Sequence, residues 1–318
     1  MHPDTSKGYL SAEFIHQHGT ISALAARMVE AYKTYGQGGL EVPAKTVIAG
    51  GTPRSLFLTM PVYYQTKDMF MVKIGTFFAR SPNCLLPTIH ADVLVYSAKT
   101  GQRQTIIDGA ALTNFKCAAI TAVVTERCAH RSAKILAIIG SGVQALEQAR
   151  GVCTVRDISE IRIFSRTPKH AQRFAAALRQ EMPELDIKVY SSIAKVTRDA
   201  DIISTTTSSK TPLDQFANTR ADVHFNCMGA HDSAGRELPN SLIRNSTTIV
   251  EDINTALEEA GPAHINALDL QKLIKDKTRD FTAEKTVFSS TGHAYLDAIT
   301  AAYLLEVQTE FQHGPCAE

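Results

Sequence analysis

Apolar residues recur along this chain with two periods, and the alternation between them outlines its elements. Over residues 20–35 they fall at Ile21, Leu24, Met28, Val29 and Tyr32, the spacing of one helix face, and the pattern closes at Gly36-Gln37-Gly38-Gly39. A short extended stretch at Tyr9-Leu10 precedes it. Strands are predicted next at 46–49, 56–60, 69–77 and 91–96, and Lys99-Thr100-Gly101 reads as a hairpin turn into a strand over 104–108. Helical spacing returns over about 113–127 with Thr113 as the expected N-cap, which puts Lys116 in the first turn. Beyond it the periods alternate. Strands are predicted at 135–139, 161–164, 187–190, 201–206, 223–228 and 248–251, with helices to about 151, over 169–182 and over 193–200. Such alternation predicts an α/β fold with a doubly wound parallel sheet. An apolar-rich helix over 294–307 ends the pattern and need not pack on that sheet.

The run Ile135-Leu136-Ala137-Ile138-Ile139 suits a strand buried on both faces, and Gly140-x-Gly142-x-x-Ala145 follows it at the start of a helix. In a dinucleotide fingerprint the first glycine makes the tight turn, the second admits a pyrophosphate close to the backbone, and the third small residue lets helix pack on strand. The phosphates then lie on the first amides of the helix, here at Val143 and Gln144. After the second strand, where an acid would accept from the ribose hydroxyls of NAD, this chain has Ser165-Arg166-Thr167. A guanidinium there suits a 2′-phosphate, so NADP(H) is the preferred coenzyme and NAD(H) the alternative. A structural glycine turn and a solvated arginine would carry the same letters; the strand before and the helix after favour the nucleotide. Thr206 and Thr207, at the end of a predicted strand, fall at the carboxyl edge where such sheets bind ligands, although a hydroxyl-rich turn would look alike. Met228, ending the next strand, is assigned to the same cofactor site.

Composition narrows the partners. The 318 residues suffice for one large or two ordinary domains, 44% of them are apolar and 20% charged, and the formal net charge of +1 calls for neither nucleic acid nor a membrane surface. The start, Met1-His2-Pro3-Asp4-Thr5-Ser6-Lys7, lacks an apolar signal region, so a cytoplasmic location is expected. Six scattered cysteines without Cys-x-x-Cys spacing read as reduced, buried thiols. His16-x-His18 has no third ligand spaced to complete a site, so no metal is expected.

Seven motifs in order resemble the ornithine cyclodeaminase and mu-crystallin family over nearly the whole chain. They are Met60-Pro61-x-Tyr63; Lys73 within Val72-Lys73-Ile74; Leu86-Pro87; Thr113-x-x-Lys116-x-Ala118-Ala119; Gly140-x-Gly142-x-Gln144-Ala145; Asn226-x-x-Gly229-Ala230 with Arg236-Glu237-Leu238; and Val287-Phe288-x-Ser290-x-Gly292-x-Ala294-x-x-Asp297. The resemblance implies a homodimer and a Rossmann-type domain, 116–292, inserted in an α+β substrate-binding and dimerisation domain, 1–115 plus 293–318. It implies small carboxylate substrates, amino acids or their cyclic imines, held by Lys45, Lys73 and Lys116. Two of these, Lys45 and Lys116, stand where arginine is common, so charge is kept and the bidentate fork is lost. Ser290 and Gly292 match a loop near the nicotinamide.

One departure bears on the reaction. Where the cyclodeaminases carry a catalytic aspartate this chain has His231, with Asp232 beside it, and Gly235 stands at the place of a lysine. This, with Asn254-Thr255-x-Leu257-x-Glu259-Ala260-Gly261, looks more like members that reduce 1-pyrroline-2-carboxylate or 1-piperideine-2-carboxylate with NAD(P)H. Lys73, His231 and Asp232 are then the expected catalytic residues. The alternatives are an amino-acid dehydrogenase, an imine-forming (opine-like) reductase or a cyclodeaminase on the same site, and a non-catalytic NADPH-dependent ligand binder. Lys45 and Lys116 as surface charges, Lys73 as an ordinary strand lysine and His231 as a loop histidine are the plain readings.

Overall fold

The structure, a computed structural model, describes residues 8–51, 55–78, 86–216, 218–229, 231–232 and 235–313, without the side chains of His231, Asp232 and His313. Two compact units divide the chain: Met1–Lys116 with Ala294–Glu318, and Cys117–His293.

The second unit is built on an eight-stranded sheet, wholly parallel. Its order is Asp186–Val189, Glu160–Phe164, Ile135–Ile139, Ile202–Thr205, His224–Cys227, Thr286–Ser289, Thr247–Val250, Leu268–Asp269. Alternate residues of Ile135–Ile139 feed opposite faces, as the pleat requires. Leu136 and Ile138 join Ala145, Ala149, Val152 and Phe174 in one core, while Ala137 and Ile139 join Ile203, Phe225 and Val287 in the other. A strand covered twice has to be apolar at every position, hence the unbroken run. The chain moves to one side through Glu160–Phe164 and Asp186–Val189, then returns to the other at Ile202–Thr205. The order therefore reverses between Ile135–Ile139 and Ile202–Thr205, and a doubly wound Rossmann sheet opens its crevice at the carboxyl ends of such a pair. Thr286–Ser289 was not foreseen as a strand. It is only four residues long, and its place between His224–Cys227 and Thr247–Val250 is a tertiary matter.

In the first unit a mainly antiparallel sheet runs Tyr9–Leu10, Arg103–Asp108, Ile89–Ser97, Met69–Phe78, Ser55–Tyr64, Leu40–Glu41, with Thr46–Ala49 also on Ser55–Tyr64. The helices Ile21–Lys33 and Ala294–His313 pack together, and the latter lies on the two longest strands. Ser55–Tyr64 extends past the expected end at Met60 despite Pro61. Thr46–Ala49 pairs with residues 56–59 and Leu40–Glu41 with 63–64, so Pro61 falls where that neighbour is interrupted and its missing N–H costs no ladder bond there.

One expectation is corrected. The helix Gly109–Cys128 starts a turn before Thr113, directly after the strand Arg103–Asp108, and Asp108 Oδ1 accepts from Ala111 N at 2.9 Å as its cap. The Thr113 hydroxyl instead donates to Gly109 O at 2.7 Å, an interior bond one turn back. Lys116 is consequently inside the helix and away from the free amides of its first turn.

The second unit also buries a chain of polar groups. His224 meets Thr286 Oγ1 at 2.8 Å and Asn226 Oδ1 at 3.2 Å, and Asn226 Nδ2 donates to Thr125 Oγ1 at 3.0 Å. Burial depresses the His224 imidazole to about 3, against the weaker upward pull of Asn226. The unfolded chain takes a proton near pH 6.5 that the folded chain refuses, so this contribution is present above pH 6.5 and is lost as pH falls toward 3. By pH 5 the loss is ~2 kcal/mol. Urea unfolding at pH 7.5 and 5.0 is expected to show a smaller drop for His224→Asn than for the parent; equal drops would place the acid sensitivity elsewhere.

Candidate functional site

At the end of Ile135–Ile139 the backbone turns through Gly140 with φ +127°. A Cβ there would lie 2.2 Å from Thr206 Oγ1 and 2.9 Å from Thr206 O, so only glycine fits. Thr206 is itself tied to that strand, its amide donating to Ile139 O at 2.8 Å. Gly142 differs. It has φ −89°, which any residue adopts, and nothing lies within 4 Å of where its Cβ would be. Neither backbone nor packing calls for glycine at that place, whereas a ligand approaching the backbone would. The helix Val143–Val155 begins beside it with no side-chain cap, Ala145 is buried, and Val143 is 61% exposed although apolar. An uncapped helix start offers its amides to an anion. The Ser141 hydroxyl donates to Ser165 Oγ at 3.0 Å, joining the glycine turn to the loop that carries exposed Arg166 and Thr167. Turn, open approach and uncapped helix fit the pyrophosphate of a dinucleotide.

Two buried acids shape the neighbouring loops. Glu237 is fully buried and accepts from Thr205 Oγ1 at 2.8 Å, from Gly229 N at 2.8 Å and from Thr207 N. A Cβ on Gly229 would lie 2.1 Å from that carboxyl group, so the glycine makes room for the acid. Burial pushes the Glu237 carboxyl above its usual range, although its bonds to Thr207, Thr205 and Gly229 pull it down. Glu251, also buried, accepts from Ser290 Oγ, from Thr291 N at 3.1 Å and from Gly292 N at 3.3 Å. Thr206, Thr207, half-buried Met228, Ser290 and Gly292 thus lie on loops held from beneath, at the carboxyl ends of Ile202–Thr205, His224–Cys227 and Thr286–Ser289.

In the first unit three elements converge on one carboxylate. Lys73, on Met69–Phe78, shares its face with Met71, and the pairing Met60–Lys73–Val93–Ile107 sets it in an apolar row. Its Nζ donates to Asp297 Oδ2 at 2.9 Å, and Lys116 Nζ donates to Asp297 Oδ1 at 2.9 Å. The side chains are 10%, 6% and 0% exposed in the order Lys73, Lys116, Asp297. Burial pushes the Asp297 carboxyl up, but Lys116 and then Lys73 outweigh it and hold the acid below its usual range. Two ammoniums from separate elements thus meet on one buried carboxylate.

The structure thus brings together Lys73 and Lys116, and buries Lys116, which had a surface charge as its plain reading. Lys45 is exposed; continuing the Thr46–Thr59 register by one residue sets it across from Met60, the partner of Lys73. His231 and Asp232 form a two-residue strand with Gly235–Arg236, and their side chains lie outside the described residues. Asp297, Glu237 and Glu251 were missed as site residues. The first two had a signal, since each belongs to a motif quoted above; Glu251 had only its place at a strand end.

Among the described residues no group of three or more His, Cys, Asp or Glu is set to hold a metal, and no helix is long and apolar enough to cross a membrane. The His18 ring lies tilted against those of Phe14 and Phe311, with centroids at 4.7 and 4.6 Å. Cys128 and Cys227 are buried cysteines outside any disulfide, Cys117 and Cys153 half-buried ones; Cys84 and Cys316 lie outside the described residues.

Comparison with known proteins agrees with this geometry. The profile of the ornithine cyclodeaminase/mu-crystallin family matches residues 6–310. The ketimine reductase mu-crystallin of Mus musculus is 28% identical over 301 residues, 92% of this chain and 95% of its own. A delta(1)-pyrroline-2-carboxylate reductase of Bacillus cereus is 30% identical over 304 residues, 91% of each chain. Among solved structures, the delta(1)-pyrroline-2-carboxylate reductase of Thermococcus litoralis in complex with NADH and L-proline superposes with a TM-score of 0.88, at 27% identity, covering 96% of this chain and 98% of that one.

The two glycines should respond oppositely to a methyl group. Gly229→Ala drives the Glu237 carboxylate off its donors and is expected to cost ~2–4 kcal/mol, with faster hydrogen exchange at the Thr207 amide and at the amide of the substituted position. Gly142→Ala meets open space and is expected to stay within ~0.5 kcal/mol of the parent in chemical denaturation. Similar losses in both would mean that the glycine turn is a packing feature.

Proposed function

The chain belongs to the ornithine cyclodeaminase/mu-crystallin family, and on that premise we propose that it is an NAD(P)H-dependent oxidoreductase acting on a C=N bond. It reduces a cyclic imino acid, 1-pyrroline-2-carboxylate or its six-membered analogue 1-piperideine-2-carboxylate, to the cyclic amino acid. The observation that carries this reading is the meeting of two buried ammoniums, Lys73 and Lys116, on Asp297, each from a different rigid element. Relatives named as reductases of such imines support the substrate class. The substitution of Gly235 for the lysine of the cyclodeaminases weighs against cyclisation.

A bound reduced nicotinamide supplies the hydride for this chemistry. The protein's part is to hold and orient the substrate. Its carboxylate adjoins the carbon that accepts hydride, so Lys73 and Lys116, by gripping one, fix the other, and Lys45 adds charge from the strand edge. Orientation of this kind contributes up to ~7 kcal/mol to lowering a barrier. The imine nitrogen also needs a proton. His231, with Asp232 beside it, is assigned to that task on its place in the sequence, because an imidazole exchanges protons near neutrality. Gly140, Gly142, Val143 and Gln144 hold the pyrophosphate, Ser165, Arg166 and Thr167 the 2′-phosphate of NADP(H), and Thr206, Thr207, Met228, Ser290 and Gly292 the nicotinamide half. In this reading residues 116–292, apart from Lys116, bind the coenzyme, and 1–115 with 293–318 and Lys116 bind the carboxylate and a second copy.

The second copy is suggested by the sheet of the first unit, whose outer face is apolar too. Ile48 pairs with Phe57, and Tyr63 with Phe70 and Phe70 with Tyr96 across three strands; Ile48, Phe57 and Phe70 are 55%, 39% and 46% exposed. A cleft on that face is lined by Pro61, Tyr63, Phe70, Val72 and Tyr96. A contiguous apolar face suits an isologous contact with its own copy.

Two experiments test these assignments. Following NADPH and NADH oxidation with both imino acids, Lys73→Ala is expected to raise KM on the order of 100-fold, and Arg166→Ala to lower the NADPH preference on the order of 10-fold or more with kcat kept. An unchanged KM in the first removes the carboxylate anchor, and an unchanged preference in the second removes the coenzyme assignment. In sedimentation velocity the parent is expected as a dimer and Phe70→Glu as a folded monomer; a monomeric parent would refute the second-copy reading.

A further inference from the structure

We propose that Glu237 is a positioning residue for the nicotinamide half of the coenzyme: its carboxylate locks the loops after Ile202–Thr205 and His224–Cys227 into one floor, and the adenosine half does not depend on it. The inference rests on the reading of this unit as a coenzyme site, with Thr206, Thr207 and Met228 against the nicotinamide half. Its grounds are the bonds that converge on one residue. Oε1 accepts from Thr207 N in the first loop, and Oε2 accepts from Gly229 N at 2.8 Å in the second. The same Oε2 takes the hydroxyl of Thr205 at 2.8 Å. The backbone adds a further tie, since Leu213 N donates to Glu237 O at 2.7 Å, and the loop 207–213 is thus held by this residue at both ends. Within that loop Ser209 N donates to Thr207 Oγ1 at 3.2 Å, and Ser209 Oγ donates to Thr211 O at 2.7 Å. Its middle rests on Gly235, where a Cβ would lie 3.0 Å from both Lys210 Cα and Lys210 Cβ. The two loops also touch, because a Cβ on Gly229 would lie 2.5 Å from Thr207 O.

Hydrogen-bond chemistry explains why the residue is an acid. Burial pushes its carboxyl up, and hydrogen bonds from Thr207, Thr205 and Gly229 oppose that shift. An amide side chain of the same shape would be buried at less cost, so stability does not call for the charge. Geometry does. The two loop amides each take a different oxygen, and among side chains only a carboxylate accepts on both. A glutamine has one acceptor oxygen, so its NH2 group would face either Thr207 N or Gly229 N, donor against donor, and one loop would be let go. Gly235, where the cyclodeaminases carry a lysine, belongs to the same arrangement, because it leaves room for the loop that Glu237 ties down. Thr206, beside Gly140, has a support of its own, its amide donating to Ile139 O at 2.8 Å. The glycine turn therefore keeps its shape when Glu237 is changed, and the loss is felt at the nicotinamide end.

The test measures binding to the full-length protein, so that it does not depend on turnover. NADPH and NADH are titrated calorimetrically, each beside the fragment that lacks only the nicotinamide, 2′-phospho-ADP-ribose for the first and ADP-ribose for the second. The parent is expected to bind the preferred coenzyme at least about 10-fold more tightly than its fragment. Glu237→Gln is expected to lose most of that difference while the fragment stays within about 3-fold of the parent. Thr205→Val takes one donor from Oε2 but leaves both loop amides on the acid, and is expected to keep the difference within about 3-fold. Circular dichroism reports that each variant is folded. If Glu237→Gln fails to fold, the unliganded parent still decides, because loops set in advance slow hydrogen exchange at the Thr207 and Gly229 amides on the order of 100-fold or more. Fast exchange there overturns the role of Glu237. So does a parent that binds coenzyme and fragment alike, a folded Glu237→Gln in which the difference persists or the fragment weakens as much as the coenzyme, or an equal loss in Thr205→Val. A parent that binds neither coenzymes nor fragments overturns the coenzyme site itself, and this inference with it.

Discussion

A charge taken out of water has to be met by partners on every side, and that constraint organises both units of this protein. Asp297 meets it with two ammoniums, Glu237 with one hydroxyl and two amides, Glu251 with one hydroxyl and two amides. Removing one partner from such a group costs on the order of 3–5 kcal/mol, while replacing a whole buried ion pair by apolar groups is often neutral. Stability alone therefore does not explain three of them. What they share is geometry: each fixes groups from separate strands, helices or loops that their own ladders could not hold together.

The parallel sheet supplies the frame on which two of these acids act. Its strands are four or five residues long at the centre and buried on both faces, so they end abruptly, and their loops start from well-fixed carboxyl ends. Glu237 then ties the loops after Ile202–Thr205 and His224–Cys227, and Glu251 the loop after Thr286–Ser289. The same logic accounts for Gly140 and Gly229, where Thr206 and the Glu237 carboxyl come too close for any Cβ. Pre-set loops of this kind spend no ordering entropy when a ligand arrives.

Much of the fold was legible because it is local. The run 135–139, the glycine turn and the helix after it are consecutive residues, and a strand buried on both faces shows itself as an unbroken apolar run. The strand Ser55–Tyr64 was cut short at Met60 because proline forbids a ladder bond in general, and only the interrupted neighbour made Pro61 harmless. Thr113 was taken for a cap because it is a good capping residue, but Asp108 stood a turn earlier, where a strand turns straight into a helix. That displacement moved Lys116 from a helix start into the helix interior.

The sequence by itself determined the α/β class, the alternation that makes a doubly wound sheet and the fingerprint turn, since each is written in neighbouring letters, whereas the three lysines were named through a resemblance. Only the tertiary structure decided that Lys73 and Lys116 share Asp297, that Glu237 and Glu251 hold loops, and that Thr286–Ser289 lies within the sheet. The acid and the lysines are 224 and 181 positions apart. No periodicity spans such a distance; the pairing exists because packing of the apolar faces brings those places together and then leaves no water to satisfy the charges.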